Sequence, residues 1–463
     1  MGDASVAVVI LAAGEGKRLR SSLPKVLHPA AGRPLLVHAL EATRVLDAGC
    51  TVVVASLRRG EIEAAVTSYN LAPAYVVQDP PKGTGDAARV AMDAIDAGVS
   101  TVVVTNGDLP LLRGETLVRL VEEHKSSGAA ATLLTTHAGR SSDFGRVLRH
   151  TQGASNGDVS RIVEVRDASP EELDVTEVNV GVYAFDAVLL REALAHLEPN
   201  NSQGEYYLTD VVGLLGADGH RLRAIEVEVE ETLGVNDREQ LAEVSTALYR
   251  RTARELMQAG VTIVDPASTF IEPGVQVAPD ALILPFTFLE GDTTIEASAE
   301  IGPQTRIVDS VIREGATVTF AVVRGSDIGP QASVGPYASL RPGTKLARGS
   351  KLGTFVETKN SSLGADSKAP HLSYLGDATI GERVNVGAGT ITCNWDGVAK
   401  HPTTIEDDAY ISSDTMLVAP VRIGKGAATG AGAVVKSDVP DGALAVGVPA
   451  RNIEGRGQRT KKS

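Results

Sequence analysis

Two hydrophobic periods divide the chain. Over about the first 235 residues, short aliphatic runs (Ala7–Leu11, Thr51–Ala55, Thr101–Thr105, Ala130–Leu134) alternate with helical stretches such as Leu35–Asp47 and Leu117–Lys125. That alternation is what a βαβ sheet requires, and it predicts an α/β, Rossmann-like unit over residues 1–236. Residues 237–260 carry Leu241, Val244, Leu248, Ala253 and Leu256 at helical spacing, predicting a linking helix that Gly260 ends. From Val261 the period becomes six. Ile271, Val277, Ile283, Leu289, Ile295, Ile301 and Ile307 follow one another without exception. Two positions before each stands a small or β-branched residue, from Thr269 to Thr305. The phase lapses, resumes at Val322, Ile328, Val334, Leu340, Leu346 and Leu352, and returns at Ile405, Ile411, Leu417, Ile423, Thr429 and Val435. Neither a simple strand nor a helix has that period. Short strands joined by tight turns, each sending one aliphatic side chain inward, do, and residues 261–463 are expected to form a parallel β-helix. A Gly-rich sandwich would share the composition but not seven consecutive hits in one phase.

Composition narrows the function classes. A chain of 463 residues with 43% hydrophobic and 22% charged residues is globular and too long for one ordinary core. No apolar run approaches the ~18–20 residues that cross a bilayer, and no basic segment precedes Val6–Leu11, so neither a membrane partner nor a signal peptide is expected. Cys50 and Cys393 form no disulfide framework, which fits a reducing cytoplasm. A net charge of −14 with 4% aromatics argues against nucleic acid as a partner. Small anions remain open, because local Lys and Arg override a global charge.

The first strand runs into Ala12-Ala13-Gly14-Glu15-Gly16-Lys17-Arg18-Leu19, with Pro24-Lys25 beyond. Glycines after a strand let backbone N–H groups approach phosphate oxygens, and Arg18 and Lys25 add charge. Leu19 stands where a third dinucleotide-binding glycine would be, and no GK[ST] follows. The string resembles instead the signature of enzymes that join a nucleoside triphosphate to a sugar 1-phosphate. Asn106-Gly107-Asp108 places a carboxylate at a strand tip, suited to Mg²⁺. Gln78 and Lys82-Gly83-Thr84-Gly85 suit a base edge or ribose, while Glu164 and Asn179 offer polar groups to sugar hydroxyls.

Together with Gln203–Asp210 (QGEYYLTD) and Gly234–Asp237 (GVND), these strings closely resemble the bifunctional bacterial GlmU family from about residue 6 to 450. That family joins N-acetylglucosamine-1-phosphate uridyltransferase to glucosamine-1-phosphate acetyltransferase on a left-handed β-helix. The resemblance implies that Leu11, Ala12, Ala13, Gly14, Arg18, Lys25, Gln78, Gly83, Thr84, Asn106, Gly107 and Asp108 contact the uridine nucleotide. It implies that Gly145, Glu164 and Asn179 hold the sugar, and that Asp108 and Asn236 bind Mg²⁺. Two departures stand out: Asp86 where the family often has His, and Asn106 where it often has Tyr or Ser. An extra acid at Asp86 is expected to weaken nucleotide affinity.

Between the later hexad runs the chain is polar, holding Arg341, Phe355–Lys359, Lys368–Asp377 and Asn385–Gly397. His371 can accept a proton from an ammonium group near neutral pH. By the same resemblance His371 is the base of the acetyl transfer. Arg341, Lys359, Tyr374 and Asn385 would bind glucosamine 1-phosphate, and Ala388, Asn394, Trp395, Ser413, Ala431 and Gly447 acetyl-CoA. Gly447 stands where some members have Arg near the CoA phosphates, with Arg451 nearby. A covalent role for Cys393 is disfavoured, since no His neighbours it in sequence. The substrates implied are UTP, acetyl-CoA and the two sugar phosphates, and the assembly implied is a homotrimer. The basic tail from about residue 452 is expected to be mobile. Two rivals are weighed: the Arg341, Lys359, His371, Tyr374 and Asn385 set argues against a single nucleotidyltransferase with a β-helix scaffold, and the phosphate loop with Lys25 and Asp108 argues against a non-catalytic regulatory subunit of the same folds.

Overall fold

In the computed structural model, residues 3–14, 16–140, 142–151 and 157–456 are described. The chain forms two compact units, Met1–Ala247 and Leu248–Ser463, and the division falls inside one helix, Arg238–Gln258.

The main sheet of the first unit has nine strands among the described residues: β1 (Asp3–Ala12), β2 (Ala48–Ala55), β3 (Ala74–Val77), β4 (Thr101–Asn106), β5 (Ala131–His137), β6 (Arg146–Arg149), β7 (Val159–Val163), β8 (Glu177–Asp186) and β9 (Leu222–Glu226). The sheet order is β9-β5-β8-β4-β1-β2-β3, with β6 and β7 attached beside β8. All neighbours on the main path are parallel except β8, which runs antiparallel to β4 and β5. The helices are α1 (Leu35–Thr43), α2 (Arg59–Thr67), α3 (Thr84–Met92), α4 (Gly114–Ser127), α5 (Ala187–Ala195) and α6 (Leu208–Ala217).

Alternate residues of one strand face opposite sides, so β1 splits its side chains between two cores. Val6, Val8 and Ile10 pack with Leu36 and Leu40 of α1, Ile62 of α2 and Leu117 of α4. Ala7 and Val9 pack with Ala88 of α3, Leu190 of α5 and Val211 of α6. Burial on both faces is why the strand reads as one continuous aliphatic run. From β1 the chain proceeds to β2 and β3 on one side, then to β4 on the other. At that change of direction, loops leaving the carboxyl ends of β1 and β4 open a crevice, where ligands of such sheets bind.

The second unit is a left-handed parallel β-helix. Its inward column on one face is Ile271, Leu289, Ile307, Val323, Leu340, Thr358, Leu375, Thr392, Leu417 and Val435. Successive members lie 16–18 residues apart, except for 25 between Thr392 and Leu417. Two expectations are corrected here. Val323, not Val322, points inward, and the hexad phase is not lost after Ile307. It slips by one residue at tight corners, so Ile312, Val318, Val323 and Ile328 carry the core onward. Nor does the solenoid break around the polar segment, because Thr358, Leu363, Ala369, Leu375, Ile380, Val386 and Thr392 fill the same inward positions. The one true interruption is the loop that follows Ile391–Cys393 and precedes Thr403–Ile405. The end of the helix is also more ordered than expected. Ala450–Ile453 pairs antiparallel with Leu444–Gly447, while the last residues of the basic tail, 457–463, lie outside the described residues.

Each inward aliphatic residue holds its coil to the coils above and below. Ile301→Ala is therefore expected to cost about 2–5 kcal/mol in urea unfolding. Glu300→Ala, at the exposed neighbouring position, should change stability by less than about 0.5 kcal/mol.

Candidate functional site

The crevice of the first unit is a cavity of about 730 Å³. Leu11, Ala12, Ala13, Gly14 and Arg18 enter it from β1 and the following loop, Asn106 and Asp108 from the end of β4, and Gln78, Gly83 and Thr84 from the β3–α3 connection. Glu164, Lys25 and Asn236 also line it. Gly107, Gly145 and Asn179 are not in the lining. Gly107 donates its backbone N–H to Leu11, at 2.9 Å, and so locks the two loops together. The Gly145 carbonyl accepts from the Asn179 backbone, and the Asn179 side chain donates to the Tyr183 hydroxyl, placing both behind Glu164. Glu15 lies outside the described residues.

Two glycines are demanded by backbone approach. Gly16 has φ 63°, and a Cβ there would stand 2.6 Å from Lys25 Cβ; at Gly83, φ 110°, it would stand 2.5 Å from the Tyr206 carbonyl. The second contact brings in residues that sequence reasoning gave no role. Gln203, Glu205 and Tyr207 line the cavity, and the Leu208 backbone donates to the Thr84 hydroxyl. Their only signal was membership of the QGEYYLTD string. Gly16, Lys17, Val26, Pro81 and Ala87 are further lining residues that were not singled out.

Lys25 Nζ forms an ion pair with Asp108 and donates to Asn236 Oδ1 at 2.8 Å. An ammonium group between these two oxygens stands in for a cation. One carboxylate plus one amide oxygen is the sparse donor set that suits Mg²⁺, which keeps waters and phosphate oxygens as its remaining ligands. Burial pushes the Glu164 carboxyl above its ordinary range, with Asp210 and Asp167 adding to the rise and the Thr209 hydroxyl opposing it. A carboxyl in that setting favours hydrogen bonding to neutral hydroxyls over pairing with phosphate.

On the β-helix, stacking aligns residues distant in sequence. Lys368 registers with Asn385, and the Gly389 N–H meets the Leu372 carbonyl, so Ala388 follows His371 down one corner. Asp414 N–H to Ala388 and Gly432 N–H to Ser413 continue the column through Ser413 and Ala431, and Gly430 N–H to Ala445 brings it to the coil of Gly447. Four of the six residues expected at acetyl-CoA thus form one line with His371. Asn394 and Trp395 open the inserted loop, whose Lys400 approaches Lys359.

That Lys400 ammonium, with Arg341 behind it, holds the Lys359 pKa below the usual lysine range; Asp377 acts in the opposite direction. Burial opposes ionisation of Asp377, yet donation from Asn360 and Asn394 keeps its carboxyl low. Arg341 reaches Glu357 at 3.2 Å. Three cations gathered on one face are an arrangement that can receive an anion, and Lys400 is the member that sequence reasoning missed. Tyr374 shares this face, while Asn385 stands on the face before the corner. Outward side chains on two faces of a convex edge diverge, so one chain does not bring Asn385 to the others. Cys393 is half-buried, and burial raises its thiol pKa, the opposite of an activated nucleophile.

Residues 8–260 match the MobA-like NTP transferase domain. Along its whole length the chain is 47% identical to the Bifunctional protein GlmU of Corynebacterium efficiens, covering 99% of this chain and 95% of that protein. The Bifunctional protein GlmU of Thermobifida fusca is 49% identical (98% and 94% covered), and that of Kineococcus radiotolerans 48% (97% and 91%). The chain belongs to the GlmU family.

Its departures from the GlmU pattern now have structural accounts. Asp86 does not face the nucleotide crevice as a free acid: it is buried, accepts from Gln78 and pairs with Arg89. Asn106 donates towards the Gly181 carbonyl at 3.4 Å. Gly447 opens the terminal hairpin, where Arg451 pairs with Val446, one step from it.

The cationic trio yields a direct check. A neighbouring cation disfavours the charged form, so Lys400→Ala should move the Lys359 pKa up towards the ordinary range. Titration of ¹³C-labelled lysine side chains by NMR reads that shift, and an unmoved Lys359 would disprove the interaction.

Proposed function

We propose that this chain makes UDP-N-acetylglucosamine at two sites. The second unit acetylates glucosamine 1-phosphate with acetyl-CoA, and the first transfers UMP from UTP to N-acetylglucosamine 1-phosphate, releasing pyrophosphate. The observation that carries the reading is the pairing of two built sites in one chain: a glycine-lined crevice with Lys25, Asp108 and Asn236, and a corner column headed by His371.

In the crevice, the sugar-phosphate oxygen attacks the α-phosphorus of UTP in line. It is already ionised and needs no general base, so positioning and charge neutralisation do the work. Backbone N–H groups of the β1 loop and Arg18 meet the phosphates. Gln78 reads the base edge, while Glu164 holds the sugar and Asn179 supports that wall of the crevice from behind. Mg²⁺ held by Asp108 and Asn236 would add charge neutralisation on the phosphates. Lys25 then exchanges its present carboxylate partner for a phosphate oxygen.

On the β-helix, Arg341, Lys359 and Lys400 hold the sugar phosphate. His371 removes a proton from the ammonium group, and the amine attacks the thioester carbonyl. The C–N bond forms, the C–S bond breaks, and the departing CoA sulfur takes the second proton released by the nitrogen, so that CoA leaves as the thiol. CoA lies along the Ala388–Ser413–Ala431–Gly447 corner beside Asn394 and Trp395, with Arg451 near its phosphates.

A homotrimer completes this reading. Phe320, Tyr337 and Phe355 stack up the corner that leads to Leu372 and His371, with ring centroids 5.6 Å apart. Tyr337, Phe355 and Leu372 are each more than half exposed. Exposed stacked aromatics beside the base suit burial against further copies of the chain. A second copy would also bring an Asn385 to the face that one chain leaves without it. No helix among the described residues is long and apolar enough to cross a membrane, and a cytoplasmic enzyme accords with that.

Separation of the two activities tests the assignment. His371→Ala should lower CoA release at least a hundredfold and leave pyrophosphate release unchanged. Asp108→Ala, or chelation of Mg²⁺, should do the reverse; loss of both activities in either variant would overturn independent sites. Light scattering should give three times the chain mass, and a monomer with acetyl transfer intact would refute the trimer.

A further inference from the structure

Gln78 is 4% exposed at the base-reading end of the crevice, and its amide is held from one side. Its Nε2 donates to the Gly83 carbonyl at 3.0 Å and to Asp86 Oδ2 at 2.8 Å. A backbone carbonyl and a carboxylate can only accept. The amide nitrogen is therefore committed to these partners, and the carbonyl oxygen is the group left for the cavity. Asp86, only 6% exposed, is itself fixed: its other oxygen pairs with Arg89, whose guanidinium lies 5.3 Å from the Tyr206 ring centroid. Gly83 alone would orient the amide through one bond, and Asp86 supplies the second, charge-assisted one.

We infer that Asp86 is a specificity-determining positioning residue. It fixes the Gln78 amide so that an acceptor faces the base. An acceptor takes the N3–H of uracil and meets the N3 lone pair of cytosine with repulsion. Selection of UTP over CTP therefore depends on a side chain that touches neither. The inference rests on the proposal that Gln78 reads the base edge.

The experiment is the ratio of kcat/KM for UTP to that for CTP, with N-acetylglucosamine 1-phosphate as acceptor and the full-length protein throughout. Asp86→Ala should lower the ratio at least about tenfold, mainly through KM, because a freed amide can turn its N–H to cytosine. Arg89→Ala keeps the carboxylate and should leave the ratio near the wild-type value. A fall equal to that of Asp86→Ala would mean general loosening of the loop and would overturn the inference. Gln78→Ala separates the two levels of the argument. If it leaves the ratio unchanged, Gln78 does not read the base and the underlying assignment fails. If it lowers the ratio and Asp86→Ala does not, that assignment stands and the positioning role falls. Should Asp86→Ala fail to fold, Asp86→Leu decides: a side chain of similar size fills the volume but cannot accept from Gln78. The ratio should then fall as for Asp86→Ala, and a wild-type ratio would refute the role.

Discussion

Parallel strand pairing is the constraint from which both halves of the molecule follow. A parallel strand must find backbone partners along its edges, and its chain must return to the starting end before the next strand can be laid down. The first unit returns through helices. They cover both faces of the sheet, bury alternate residues of β1 in two cores and collect the strand-to-helix loops at one end. The second unit returns through two further short strands, so that every coil is its own crossover and equivalent residues stack along columns. Crevice and column are two results of one rule: the first gathers residues at the end of a sheet, the second along the corner of a prism.

Electrostatics then acts locally against the sign of the whole. The chain carries a net charge of −14, yet each proposed site concentrates cations. Lys25 is balanced by Asp108 and Asn236, and the Arg341, Lys359 and Lys400 trio by Asp377 and Glu357. Buried polar groups hold the supporting structure. Arg146, with no exposed surface, donates to the carbonyls of Phe144, Arg140, Ser142 and Leu173 and so knits the loop that ends at Gly145. Glu231 accepts from the Arg113 backbone and the Thr116 hydroxyl, joining the start of α4 to the segment that leads to Asn236.

How much of this was legible depends on how far each signal travels along the chain. The phosphate-type loop is local, so its glycines and basic residues were readable in one string. The hexads were readable wherever aliphatic inward residues followed one another at a strict interval of six. They vanished where Thr358 and Thr392 took that position, since a threonine that satisfies its hydroxyl within the coil stacks there as well. Thr358 meets Thr344 at 3.0 Å, and Thr392 donates to the Gly376 carbonyl at 3.0 Å. The one-residue slips after Ile307 hid the phase in the same way. Lys400, Gln203, Glu205 and Tyr207 escaped because they enter their sites through loops whose placement is tertiary. Asp86 was read with the wrong consequence: sequence shows an acid beside the nucleotide loop, but not that Gln78 and Arg89 turn it inward.

The corner slips bear on how such a chain can change in length. Where a corner shortens by one residue, the inward columns continue through Ile312, Val318 and Val323 without a gap. Where the chain lengthens by several residues after Cys393, Thr392 and Leu417 still pair as neighbours. Strand positions are thus fixed by the stack, whereas corners tolerate deletion and insertion. A β-helix of this kind can acquire a new loop at one corner, and with it a residue such as Lys400, without disturbing the register of any coil beneath it.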